Sequence, residues 1–216
     1  MPDSPSTGVL NAGSVSVGRE MPEGTALLDR AMDRYADGDD SAFAALFSGL
    51  GPRLVAFLKR MGAAQEQAHD LAQETFMRMH QARGHFARGK SVVPWAYAIA
   101  RNCYISHARS PKARMARNAL DADEIEIAGG QEGNAESSNI ARQMAETVQR
   151  ALDAMTPARR EAFVLLRYEG LSVEAAAQVL GTTEGAVKVR AFHAYEAIRI
   201  ALKEGETPKP TETVSR

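Results

Sequence analysis

The sequence predicts an all-α protein: two small helical domains joined by a flexible acidic linker. Three observations carry this. Aromatic residues make up only 6% of the 216-residue chain while Ala and Leu abound. That balance favours helices, because strands prefer β-branched and aromatic side chains. Apolar residues recur at three- and four-residue spacing in successive segments, and no long run alternates apolar with polar. Finally, charge is sorted along the chain rather than mixed. The 44% hydrophobic content suffices for packed cores, and the length suits two small domains.

In chain order, residues 1–24 read as a disordered tail rich in Ser, Gly and Pro, without the basic start and apolar run of a secretory signal. The first domain spans 25–112. Asp40 or Ser41 caps a helix whose apolar stripe is Phe43, Leu46, Phe47 and Leu50. Gly51-Pro52 is expected to break it; Leu54, Phe57, Leu58 and Met61 resume the pattern, and Gly62 ends it. A further helix runs from about Glu66 to Arg83, with Leu71, Thr75, Phe76 and Met79 inward and Asp70, Gln73 and Glu74 mainly elsewhere. Gly84 to Pro94 reads as a loop, followed by a helix from Trp95 to Arg109 with Trp95, Ala98, Ile99, Asn102 and Ile105 along it. Residues 113–139 form the linker, 140–203 the second helical domain, and 204–216 a polar tail. No 18-residue apolar stretch is evident, so membrane insertion is not expected. A single cysteine, Cys103, excludes an internal disulfide and suits a reducing cytoplasm.

The net charge of −1 conceals the sorting. Phe76 to Ala119 holds no Asp or Glu and nine Arg and Lys residues, whereas Leu120 to Glu146 holds seven acids and only Arg142 as a cation. A basic block on a folded segment points to a polyanion partner, most often nucleic acid. Phe86, Trp95, Tyr97 and Tyr104 are interleaved with these cations, and aromatics among cations can stack on unpaired bases.

Val173 to Phe192 has the spacing of a helix-turn-helix. Thr156-Pro157 opens the preceding helix, Ser172 caps a short one to Leu180, Gly181-Thr182 turns, and Thr183 caps a long helix to about Lys203. Ala177, Gly181 and Val187 stand at relative positions five, nine and fifteen of this window, where a close crossing, a left-handed turn and a buried contact are required. The long helix turns Val187, Ala191, Ala194 or Tyr195, Ile198 and Leu202 inward. Thr183, Glu184, Lys188, Val189, Phe192 and His193 face outward; Lys188 and Arg190 can reach phosphates or a guanine edge.

Together these motifs resemble the extracytoplasmic-function group of bacterial RNA polymerase sigma factors, over about Leu27 to Leu202. Asp70-Leu71-Ala72-Gln73-Glu74-Thr75-Phe76 is similar to that family's core-binding segment, Pro94 through Asn102 to its promoter-melting helix, and Gly170-Leu171-Ser172 through Gly185-Ala186-Val187-Lys188-Val189-Arg190 to its upstream-element reader. The resemblance implies that Asp70, Gln73, Glu74 and Phe76 dock on a coiled coil of the polymerase's largest subunit. It implies minus-ten recognition and melting by Phe86, Arg88, Lys90, Ser91, Trp95, Tyr97, Arg101, Asn102, Ser106 and Arg109. It implies minus-thirty-five contacts from Thr183, Glu184, Lys188, Val189, Arg190, Phe192 and His193. Its implied partners are core RNA polymerase, promoter DNA and an anti-sigma factor. Val189 and His193 depart from the family, which often has a polar residue and an Arg there.

No catalytic constellation, metal-ligand spacing or cofactor motif is found, so no enzyme activity, metal or cofactor is expected. Two other readings remain at this level: a response-regulator-type transcription factor, which would need a receiver domain the first 110 residues do not suggest, and a sigma mimic that no longer binds DNA.

Overall fold

The structure, a computed structural model, describes residues 23–109 and 135–206, and no strand occurs among them. The tail at 1–22, most of the acidic linker and the end of the chain lie outside the described residues. Four helices form the first unit: α1 (Glu23–Ala36), α2 (Phe43–Arg60), α3 (Gln65–Ala82) and α4 (Val92–Arg109). Four form the second: α5 (Ala135–Asp153), α6 (Pro157–Phe163), α7 (Val173–Leu180) and α8 (Glu184–Glu206).

Helix α2 runs through the expected break, with Pro52 inside it. A proline in a helix interior costs about 3 kcal/mol. Leu46 and Leu50 before it and Leu54, Phe57 and Leu58 after it are all buried on one stripe. At about 1.5–3 kcal/mol for each such side chain, burial outweighs the proline. An 18-residue window in Asp40–Arg60 also reaches a mean hydropathy of 1.5, enough by length and composition to cross a membrane, which corrects the reading that no such stretch exists. Here its buried members, Leu46, Leu50, Leu54, Phe57 and Leu58, form the core between α1, α3 and α4.

Helix α4 begins at Val92, three residues earlier than the sequence suggested, with Pro94 in its first turn where no amide bond is lost. Its cap comes from a distant residue: the Asp29 carboxylate of α1 accepts from the Val92 amide at 2.8 Å and the Ser91 hydroxyl at 3.2 Å. The buried stripe is Val92, Val93, Ala96, Tyr97, Ala100 and Cys103 rather than the Trp95–Ile105 series. Inward placement of Leu71, Thr75, Phe76 and Met79 on α3 agrees with the periodicity.

In the second unit α5 starts at Ala135, inside the stretch assigned to the linker. Pro157 opens α6, although the Thr156 side chain makes no capping bond. After Phe163 the chain widens into one π turn, Val164–Tyr168, where the Glu169 amide donates to the Val164 carbonyl at 3.1 Å. Ser172 caps α7 by accepting from the Ala175 amide at 3.1 Å, and Thr183 caps α8 through the Ala186 amide at 3.2 Å. Gly181 joins them in the left-handed region at φ 61°, and no atom lies within 4 Å of where its Cβ would stand. Gly181→Ala therefore costs only backbone strain; about 1–2 kcal/mol of lost stability is expected in a urea titration. Val187, Ala191, Ala194 and Ile198 are buried as the spacing predicted, while Tyr195 is 45% exposed.

Candidate nucleic-acid interface

The first surface lies between α2 and α3. Asp70 and Gln73 are exposed; Glu74 is partly exposed and pairs with Arg78 at 2.6 Å. Phe76 was expected among surface contacts but is only 5% exposed. Its ring packs edge-on to Phe43 and at 5.0 Å from Phe47, because it belongs to the inward stripe of α3. Together with Phe47, Val55, Ala72 and Gln73 it lines an open groove of about 660 Å³.

The second surface is the loop before α4 and α4 itself. Phe86 is 5% exposed, with its ring 5.1 Å from the half-buried Trp95, so it serves as a wedge under the loop rather than a free stacking platform. Arg88 donates to Asp37 at 2.6 Å and to the Ala36 carbonyl at 3.0 Å, the Gly89 amide to Asp33 at 3.2 Å, and Ser91 to Asp29. Asp29, Asp33 and Asp37 recur every four residues, hence on one face of α1 and at its end. This acidic stripe fixes the basic loop. It was missed in the sequence, although acids at four-residue intervals ahead of an acid-free segment were a readable signal. Lys90, Asn102, Ser106 and Arg109 are exposed.

Tyr97 and Arg101 are placed differently from expectation. Tyr97 is 1% exposed, packs on Phe57 at 5.0 Å, and donates its hydroxyl to Glu169 of the second unit. Arg101 donates to Glu161 at 3.0 Å, and Glu161 is itself 5% exposed. Arg60 pairs with Glu169 at 3.3 Å and lies 4.3 Å over the Tyr168 ring. Burial pushes the Glu169 carboxyl above the usual carboxylate range, against the pull of the Tyr97 hydroxyl and the Arg60 and Arg53 guanidinium groups. Burial, followed by the nearby Glu169 carboxylate, raises the Tyr97 phenol as well. Helix α7 packs on α4, and one apolar cluster runs from Leu28 through to Val187 across both units.

The third surface is the front of α8. Thr183, Glu184, Lys188, Val189, Phe192 and His193 are exposed there, with Val189 at 56% and Phe192 at 61%; Arg190 is partly buried. Lys188 is held loosely by Glu184 at 3.5 Å, and the His193 ring lies 5.7 Å from Phe192. Among the described residues no group of His, Cys, Asp and Glu could hold a metal ion.

A basic helix with its tethered loop and a separate helix-turn-helix define a DNA-binding protein with two reading elements. Comparison with known proteins narrows the class. The Sigma-70 region 2 family matches residues 46–124, and the Sigma-70, region 4 family matches residues 145–198. The RNA polymerase sigma factor CarQ of Myxococcus xanthus is 33% identical over 81% of this chain and 97% of its own length. The ECF RNA polymerase sigma factor SigF of Caulobacter vibrioides is 30% identical over 83% and 96%. The sigma factor RpoE of Bartonella quintana, solved with the anti-sigma factor NepR, shares the fold at a TM-score of 0.61 and 25% identity, over 74% of this chain and 96% of that one. CnrH, solved with the cytosolic domain of CnrY, shares it at a TM-score of 0.61 and 22% identity, over 84% and 99%. The chain belongs to the extracytoplasmic-function (ECF) group of RNA polymerase sigma factors. It is therefore a DNA-binding initiation factor, not an enzyme; it acts by binding core RNA polymerase and directing initiation at promoters.

Proposed function

We propose that the three surfaces divide the work of initiation. The α2–α3 face docks on the polymerase through Asp70, Gln73 and Glu74, with Phe76 shaping the groove beside them. Helix α4 and the loop from Phe86 to Ser91 engage the minus-ten element and hold its opened strand. The front of α8 reads the minus-thirty-five element as duplex. On this reading 25–112 and 140–203 are the two functional domains. The acidic linker, largely outside the described residues, spans the polymerase between them. The factor acts in the cytoplasm, where core polymerase and promoter DNA are found.

The observation that carries this assignment is the acid-free segment Phe76–Ala119, which takes in all of α4 and leaves Lys90, Asn102, Ser106 and Arg109 open to solvent. A photo-crosslinking residue at Asn102 should capture the non-template strand near the start site in the holoenzyme, and one at His193 the duplex upstream. Capture of the same element from both positions contradicts the division.

Control by an anti-sigma factor belongs to the same reading, supported by the similar folds of RpoE and CnrH, solved with NepR and with the cytosolic domain of CnrY. The apolar exposure of Val189 and Phe192 suits thymine methyl groups. Replacing upstream-element thymines by uracil should weaken wild-type binding about fourfold for each contacted methyl, from roughly 0.8 kcal/mol per buried carbon. Val189→Ala should lose part of that sensitivity in the same binding titration.

A further inference from the structure

Residues 86–91 make a short loop, yet α1 and its end grip it at almost every step. The Arg88 guanidinium donates to Asp37 at 2.6 and 2.9 Å and to the Ala36 carbonyl at 3.0 Å. The Gly89 amide donates to Asp33 at 3.2 Å. The Ser91 hydroxyl and the Val92 amide donate to Asp29 at 3.2 and 2.8 Å. Within the loop, the Lys90 amide donates to the Ala87 carbonyl at 3.2 Å, across a turn whose third residue, Gly89, sits at φ 72°. Phe86 is buried against Trp95. Ala87 and Lys90 are exposed between these anchors.

Stability alone gives this clamp little reason to exist. The Arg88 and Asp37 side chains are 44% and 67% exposed, and such surface pairs contribute little. Carboxylates four residues apart on a helix repel one another. Negative charge beside a strand-binding loop repels phosphate. What the three acids supply is shape, fixed before any DNA arrives.

We propose that Asp33 and Asp37, with Asp29 at the root of the loop, are positioning residues for base selection. They hold residues 86–91 in a single shape, so that an extruded base of the minus-ten element meets a preformed rim. The inference rests on the proposed role of this loop in engaging that element. Arg88 then acts through the shape of the loop rather than as a phosphate ligand, and Lys90 is the loop cation open to the strand. A preformed rim selects because the matching base binds without first ordering the loop. A slack loop must be ordered by the base it binds, and it can re-form around a wrong one. Loosening the clamp therefore weakens the matching base and leaves the others nearly where they were. Fixing the backbone of a single residue corresponds to about tenfold in affinity.

The test uses holoenzyme made from core polymerase and the full chain. Start sites mapped on fragmented genomic DNA give the minus-ten element. Fork DNA is then made with that element single-stranded on the non-template side, carrying each of the four bases at each position. Affinity is read by anisotropy of a fluorescein label. With Asp33→Ala and Asp37→Ala together, affinity for the preferred base should fall about tenfold at one or two positions, with the other three bases nearly unchanged. Asp33→Asn with Asp37→Asn removes the same two charges but keeps an oxygen for the Gly89 amide and the Arg88 guanidinium. That pair should retain most of the discrimination. Asp33 is partly exposed and Asp37 exposed, so both variants should fold, as circular dichroism checks. Asp33→Ala alone replaces the double variant if that one does not.

Unchanged base preference in the folded Ala variant overturns the proposal. Equal loss in the Asn and Ala variants overturns it as well, since charge and not hydrogen bonding would then set the preference. So does a uniform gain for all four bases, which relief of phosphate repulsion explains. Lys90→Glu separates the clamp from the role given to the loop. Weaker fork binding by Lys90→Glu, with full discrimination in the Ala variant, rejects the clamp alone. Unchanged fork binding by Lys90→Glu rejects the contact between loop and strand, and the clamp with it.

Discussion

Replacing Arg101 and Asn102 together by Ala is expected to abolish most strand opening while the holoenzyme still assembles. Both project from α4 within the acid-free segment, Asn102 exposed and Arg101 partly so. A hydrogen bond from a charged group is worth about 1.5–3 kcal/mol, and a neutral one about 1 kcal/mol. The pair together should lower the population of open promoter roughly a hundredfold. Permanganate reactivity of unpaired thymines reads this directly. The experiment belongs in the holoenzyme, because in the free chain the loss of Arg101 also strands Glu161, 5% exposed, without its partner. Unchanged thymine reactivity at equal polymerase occupancy contradicts the assignment of opening to α4.

The second large effect is expected at Asp70. Asp70→Arg reverses a charge on an exposed position of α3, next to the open apolar groove. Like charges brought together across an interface cost several kcal/mol. Affinity for core polymerase should fall by about tenfold to a hundredfold, while the variant keeps its fold, since an exposed charge far from the core contributes little to stability. Gln73, one turn along, should respond more weakly because it is uncharged. Full affinity in Asp70→Arg would place the docking surface elsewhere.

Much of this architecture is legible in the sequence because local rules govern it. The inward stripe of α3, the Ser172 and Thr183 caps, and the left-handed Gly181 all follow from spacing and from the chemistry of single residues. The exposed front of α8 follows from the same period.

What was not legible depends on distant partners. The start of α4 at Val92 is set by Asp29 on α1, sixty-three residues back. The continuity of α2 through Pro52 is decided by the core that forms around it, which no local propensity records. The buried stripe of α4 differs from the expected one because α4 has two covered sides, one against the first core and one against α7. For the same reason Tyr97, Arg101 and Phe86 could be picked out by type and position, but not their placement: the acids that meet Tyr97 and Arg101 lie sixty and more residues further on. Glu161 and Glu169 gave no sign of their importance in the linear chain, since an acid in a helical segment usually faces solvent.

On the proposed division of surfaces, this chain supplies core polymerase with promoter selection through two DNA contacts. Transcription by core polymerase reconstituted with the purified chain, over fragmented genomic DNA, tests it most directly. Discrete transcripts that need the chain are expected. Their start sites should share two upstream elements, with the nearer one lost to the Arg101 and Asn102 substitutions and the farther one to substitutions on the front of α8. No chain-dependent transcript from any fragment, or transcripts indifferent to both sets of substitutions, would contradict it.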